Sequence, residues 1–178
     1  SGILNLGNSN LVTNSNTLSI GTSISNLGSL LLTSGKVIGN LRRWFSNSVV
    51  PNALFPVGTS QLKYTPITLN NIIGNGTFTV SAVPGKHPNA SGTNVLQMYW
   101  KLTNGGITST DLIFNYLDAD VVGDETQYEI GRYNGSWVFP SPIILDALAN
   151  TVRINGMNSF SDWTLGEPTA LPVELSSF

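Results

Sequence analysis

Three short apolar pairs, Leu4/Leu6, Leu18/Ile20 and Leu30/Leu32, recur at spacings of 14 and 12 residues in a stretch without charge. Each pair alternates with polar residues and is followed by glycine or asparagine, as in Ile3-Leu4-Asn5-Leu6-Gly7-Asn8 and Thr17-Leu18-Ser19-Ile20-Gly21. A two-residue alternation puts both members of a pair on one strand face. Strands this short cannot bury a face alone, so they need stacked neighbours, as in a β-solenoid. The spacing is short for a full three-sided coil, which leaves a β-meander open. A third arrangement is pairing with another subunit. Residues 1–35 hold no Lys, Arg, Asp, Glu or Pro, so the usual protection of a strand edge is missing. Ile3, Leu4, Leu6, Leu18, Ile20, Leu30 and Leu32 are therefore candidate self-association residues.

From Trp44 onward aromatic residues enter and the pattern changes. Phe78, Val80 and Ala82 alternate with Thr77, Thr79 and Ser81, and Leu96, Met98, Trp100 and Leu102 with Gln97, Tyr99 and Lys101. Asn104-Gly105-Gly106 predicts a turn, with Leu112, Phe114 and Tyr116 on the return strand. Asn134-Gly135 predicts a hairpin from Tyr128 to Phe139, with Arg132 opposite Trp137 and Ile130 opposite Phe139. Thr151 to Gly156 reads as a further strand. The expected fold is all-β: an antiparallel β-sandwich over 44–178, preceded by a short-strand segment, 1–43, that is solenoid-like or donated to a neighbour.

Composition excludes several classes of function. The 178 residues include no cysteine, which rules out a disulfide scaffold, a thiolate metal site and a cysteine nucleophile. The single histidine, His87, rules out a multi-histidine metal site within one chain. No apolar run approaches the ~18 residues of a membrane helix. No charged segment followed by an apolar one marks a signal peptide, so an exported form would be a processed one. A net charge of −2 argues against bulk nucleic-acid binding. Charged residues make up 10% of the chain, against ~25% in an ordinary soluble domain. Ser, Thr and Asn supply 57 of the 178 residues instead, a balance that suggests an extracellular or cell-surface protein. Residues 1–110 carry six basic and no acidic residues, whereas 111–178 carry ten acids against Arg132 and Arg153. Either the two stretches interleave in space, or the particle is dipolar and associates head to tail.

Candidate chemical sites are sparse. His87 sits between prolines in Val83-Pro84-Gly85-Lys86-His87-Pro88, a loop context that predicts solvent exposure, and no Gly-x-Ser-x-Gly elbow accompanies it. The acidic run holds Asp118, Asp120, Asp124 and Glu125. Calcium takes six to eight oxygens, and these four would be its ligands; the alternative is a solvated turn rich in acids. Glycoside hydrolysis needs two acids across a cleft, for which Asp118, Asp120, Glu125 and Glu129 are the dense supply. Tyr99 and Tyr133 fall on the polar faces of their strands and are candidates for stacking on a glycan, with Trp44 a third. Ordinary strand propensity explains an exposed tyrosine equally well. Calcium is thus the one cofactor considered, and no catalytic residue is assigned.

Two segments near the end carry a resemblance. Phe160-Ser161-Asp162-Trp163-Thr164-Leu165-Gly166-Glu167, followed by Leu171-Pro172-Val173-Glu174-Leu175-Ser176-Ser177-Phe178, resembles the tail of large secreted surface proteins of Bacteroidota. There such a motif precedes further β-modules or the sorting domain of the type IX secretion system. The Asn/Ser/Thr-rich start resembles the repeats ahead of such a tail. The resemblance implies export to the cell surface and implies no catalytic residues. The expectation is a non-enzymatic extracellular structural protein that self-assembles by strand addition into a filament or matrix. The alternative is a carbohydrate-binding or adhesin module of a larger protein. Expected partners are further copies or neighbouring β-modules, or a glycan; no nucleic acid and no membrane span are expected.

Overall fold

The computed structural model describes residues 2–47 and 52–172. Among them lie twelve strands and three single-turn 3₁₀ helices, with no α-helix, so the chain is all-β. The strands are β1 (Ile3–Gly7), β2 (Asn10–Ile20), β3 (Ser29–Leu32), β4 (Lys36–Phe45), β5 (Ala53–Phe55) and β6 (Ile67–Pro84). There follow β7 (Met98–Asn115), β8 (Glu129–Tyr133), β9 (Trp137–Val138), β10 (Ile143–Asp146), β11 (Thr151–Met157) and β12 (Asp162–Gly166).

The N-terminal strands stack in parallel. β1 lies beside β3 with Ile3 opposite Ser29 and Leu4 opposite Leu30. β2 lies beside β4 with Asn10 opposite Lys36 and Val12 opposite Ile38. Both offsets are 26 residues, the two sequence spacings taken together. β1 and β2 thus form one coil of a parallel β-solenoid, and β3 and β4 form the next. At one corner the Gly7 carbonyl accepts the N–H groups of Thr33, Ser34 and Gly35 at 2.8, 3.0 and 2.9 Å. Past Val12 the register shifts and Thr17 faces Asn40, so residues 13–16 bulge from β2. Gly39 makes room for the bulge. Its φ is +118°, and a Cβ there would lie 2.1 Å from the Thr13 hydroxyl, which instead accepts the Asn40 N–H at 3.0 Å.

β4 is the hinge of the architecture. Its other edge pairs antiparallel with β6, Leu41 opposite Val80 and Phe45 opposite Gly76. The β6 and β7 strands pair along their whole length, from Ile67–Phe114 to Pro84–Met98. β7 then changes neighbour: β11 lines one half, with Val152 opposite Phe114, and β12 the other, with Trp163 opposite Trp100. β8 and β9 extend the sheet beyond β12.

Several expectations are corrected here. The antiparallel sandwich is replaced by a solenoid with one large mixed sheet of ten strands, because the parallel coil and the antiparallel strands share β4. Asn104-Gly105-Gly106 does not reverse the chain; β7 runs through it, and the register slips there against Gly74–Thr77. Residues that favour turns also favour bulges, and glycines face each other across the two strands: a Cβ on Gly76 would lie 1.8 Å from the Gly105 carbonyl oxygen. The Asn134-Gly135 hairpin forms, but Tyr133 pairs with Trp137 and Arg132 with Val138, one residue off the expected register. Ser136 belongs to the connection, its carbonyl accepting the Asn134 N–H at 3.2 Å. The boundary between 43 and 44 falls inside β4.

One buried cluster spans these parts. It runs from Leu6 and Ile20 in the coil through Phe45, Phe55 and Phe78 to Phe114, Trp100 and Trp163. The Phe78 ring meets Phe160 edge-on at 4.8 Å, and Trp100 donates from its indole N–H to the Thr65 carbonyl at 2.9 Å. Leu4, Leu18, Leu30 and Leu32 pack against the same cluster, which joins the coil to the sheet energetically.

Candidate functional site

The two ends of the coil differ. One is covered along β4: β6 pairs with it, and Pro56–Gly58 lies beside Val37, whose N–H donates to Pro56 O at 2.7 Å while Gly58 N–H donates to Val37 O at 3.1 Å; among the described residues no strand pairs with the outer edge of β3. At the other end, among the described residues, no strand pairs with the outer edges of β1 and β2. A cavity of about 270 Å³ opens there, lined by Ile3, Leu4, Leu18 and Ile20 together with Ser19, Thr22 and Asn26. Ile3 is 64% exposed and Val12 52%. Burying a leucine fully is worth roughly 1.5–3 kcal/mol, and Leu4 and Leu18 realise only part of that. Terminal coils of a solenoid ordinarily present a polar cap to solvent. This one presents backbone edges around an apolar mouth.

The candidate self-association residues divide accordingly. Leu6, Ile20, Leu30 and Leu32 point into the coil and belong to or pack on the core, the solenoid-like arrangement of those the spacing left open. Their alternation is satisfied within the chain. Leu4, Leu18 and Ile20 do both, packing in or on the core and lining the mouth. Only Ile3 of the seven is exposed. The edge residues Leu11 and Val12 were missed by periodicity, since an adjacent apolar doublet breaks the alternation; the doublet itself, in an uncharged strand, was the available signal.

The acidic run does not converge. Asp118 accepts from Asn150 Nδ2 at 2.6 Å, and Asp124 from the Thr126 N–H and hydroxyl at 3.0 and 2.6 Å. Glu125 accepts from the Tyr116 hydroxyl at 3.1 Å. Asp120 is fully buried and ion-paired with Lys63. Among the described residues no three acids or histidines gather as a metal site, so the expected calcium set of Asp118, Asp120, Asp124 and Glu125 is not brought together. The local turn geometry turns each carboxylate to its own donor. Burial, together with Glu125, pushes the Tyr116 phenol well above its usual range. The cleft that holds Glu129 contains none of the other acids considered for glycoside hydrolysis.

The tyrosines and His87 form one cluster. His87 is 1% exposed, against its expected exposure. Its ring lies 4.9 Å from Tyr99, 5.0 Å from Tyr133 and 4.9 Å from Trp137. Tyr99 is accordingly buried, and its ring does not offer the free face expected for a glycan; Tyr133 is half-buried in the same cage. The alternation of β7 did not reveal that a loop would cover its second face. Trp44 is half-buried on β4. His87 Nδ1 accepts the Asn89 N–H at 3.2 Å, so Nε2 carries the proton, and it lies 3.3 Å from Asp162 Oδ2. Burial lowers the imidazole pKa, opposed by the hydrogen bond and charge of Asp162. With both ring nitrogens engaged, this histidine has no free nitrogen for a nucleophile.

The charge halves interleave. Lys63 pairs with Asp120, and Lys101 stands 3.9 Å from Asp162, so basic residues of the first half meet acids of the second. No family model, no curated protein and no solved structure matches this chain. No helix among the described residues is long and apolar enough to cross a membrane.

Proposed function

We propose that this chain is a non-enzymatic extracellular structural protein that joins a surface filament or matrix by strand addition. The open end of the coil carries this reading: two strand edges, unpaired among the described residues, frame a largely apolar mouth in a stretch without charge. Strand addition takes its affinity from main-chain hydrogen bonds and its selectivity from alternate side chains, and both are on offer at β1 and β2. The resemblance of Phe160–Glu167 to the tails of secreted Bacteroidota surface proteins supports the location. Residues 173–178, the rest of that motif, lie outside the described residues. Light scattering across a concentration series tests the reading. The chain associates through its free edge, and Val12→Lys abolishes association while changing stability by less than about 0.5 kcal/mol. A chain that stays monomeric throughout would end it.

A second reading, a carbohydrate-binding or adhesin module, rests on a different place. A cleft of about 550 Å³ between β7 and residues 158–162 sets Phe160 among Lys101, Thr103, Asn158 and Asp162. An aromatic ring beside hydrogen-bonding side chains is suited to a sugar. A glycan array tests it, and binding that survives Asn158→Ala with Lys101→Ala would remove this cleft from consideration.

A further inference from the structure

Asp120 is fully buried, and the Lys63 ammonium is in direct contact with its Oδ1. Its Oδ2 is buried as well and, among the described residues, meets no donor. An ionised carboxylate offers about four lone-pair sites, and this one is served by a single cation. A buried charge so poorly satisfied is costlier than a neutral amide oxygen in the same place. We infer that Lys63 and Asp120 condense into an intramolecular amide, a covalent cross-link between residues 57 positions apart in a chain without cysteine.

Both backbones are held in place for this. The Asp120 N–H donates to Leu117 O at 2.9 Å, and Asp120 O accepts the Gln97 N–H at 2.7 Å. On the other side the Lys63 N–H donates to Ser60 O at 3.3 Å, and the Thr65 N–H to Val57 O at 3.0 Å. Two groups fixed in contact react with effective molarities that reach about 10⁵–10⁸ M. That advantage offsets the resistance of an amine and an acid to condensing in water.

The step balances without a co-reactant. The ammonium passes one proton to Oδ1, which leaves a neutral amine and a carboxylic acid. The Nζ lone pair adds to Cγ, and the C–N bond forms. A second proton moves from the nitrogen to Oδ1, the Cγ–Oδ1 bond breaks, and water departs. Oδ2 stays as the amide oxygen, and nothing is oxidised or reduced. The Lys63 side chain is one-third exposed, so water and the mobile proton have a path to solvent.

The bond ties two separate parts of the fold. Val57 and Gly58 lie against Val37 of β4, and the Lys36 ammonium donates to Gln61 O at 2.8 Å. Asp120 belongs to the connection between β7 and β8. The segment that covers β4 is thereby joined to the far side of the β6–β7 pair, whether or not the chain associates.

Mass spectrometry of the intact, denatured chain tests this. The expected mass is about 18 Da below that of the sequence, the loss of one water. Trypsin then yields a branched peptide in which residues 44–86, uncut at Lys63, are joined to residues 102–132. Lys63→Met and Asp120→Ala each remove the deficit. Lys63→Met, alone or with Asp120→Asn, carries no bond, so comparing those two variants isolates the cost of the bare carboxylate. A parent chain of full mass that trypsin cuts after Lys63 overturns the inference, and this holds even if the variants do not fold. A deficit that persists in Lys63→Met, or that maps to other residues, overturns it too.

Discussion

His87 Nε2 lies 3.3 Å from Asp162 Oδ2, joining residues 75 positions apart in a cage of three aromatic rings. This contact ties the loop between β6 and β7 to β12, and Trp137 on β9 adds its indole N–H to the Asn89 carbonyl at 3.1 Å. The cage is a clasp over one face of the sheet, and its stability depends on the ring remaining neutral.

Acid therefore loosens it. Burial lowers the pKa of His87 in the folded protein, so as pH falls the unfolded chain takes up the proton first. Stability is fully present above the ordinary histidine value of ~6.5 and declines below it. Melting curves between pH 8 and 5, taken as a conventional range of about three units, show a falling midpoint. His87→Gln flattens that slope at a lower starting stability, and an identical slope in this variant would assign the pH response to other groups.

Lys63 and Asp120 provide a second test. Asp120 is fully buried, while Lys63 is one-third exposed. Removing the cation leaves a buried carboxylate uncompensated, which costs about 2–4 kcal/mol after allowance for the exposed partner. Lys63→Met shows this loss in denaturant titration. Combining it with Asp120→Asn recovers most of it, because the neutral amide no longer needs the ammonium. Additive losses in the double variant would mean that the two side chains act independently.

Gly76→Ala tests the kink shared by β6 and β7. The residue has φ +147°, and its added methyl would run into the Gly105 carbonyl. The expected cost is about 2–3 kcal/mol from strained backbone and displaced pairing. A melting temperature equal to that of the parent chain would show that the two strands pass each other with more room than the register implies.

Calcium is expected to leave this fold unchanged. Asp118, Asp124 and Glu125 each accept from a different donor, and Asp120 is held by Lys63. Millimolar calcium and excess chelator leave the melting temperature and the intrinsic fluorescence unchanged. A calcium-dependent rise of several degrees would mean that the loop rearranges to gather its acids.

The parts legible in the sequence are those governed by local periodicity. Leu4, Leu18 and Leu30 marked the strands of the coil, and their combined spacing is the coil repeat. Phe78, Val80, Trp100 and Leu102 marked the core. What escaped was decided by partners distant in the chain. Asn104-Gly105-Gly106 has turn chemistry, and only the glycines facing it from β6 make it a bulge. Tyr99 alternates with core residues, yet the His87 loop buries it from the other side. His87 itself has a loop context, and no local signal points to Asp162. The open mouth was half legible: an uncharged, proline-free stretch was visible, but its polarity depends on which strand β4 pairs with on each side.

That choice at β4 makes the molecule directional. Parallel partners lie on one side of this strand and antiparallel partners on the other. A coil added beyond β1 would leave the pairing of β4 with β6 and the aromatic core unchanged, whereas loss of β1 and β2 would strip β4 of its parallel partner. The length of such a rod and the integrity of its cap are separate properties, so duplication of a single 26-residue unit lengthens the one without disturbing the other.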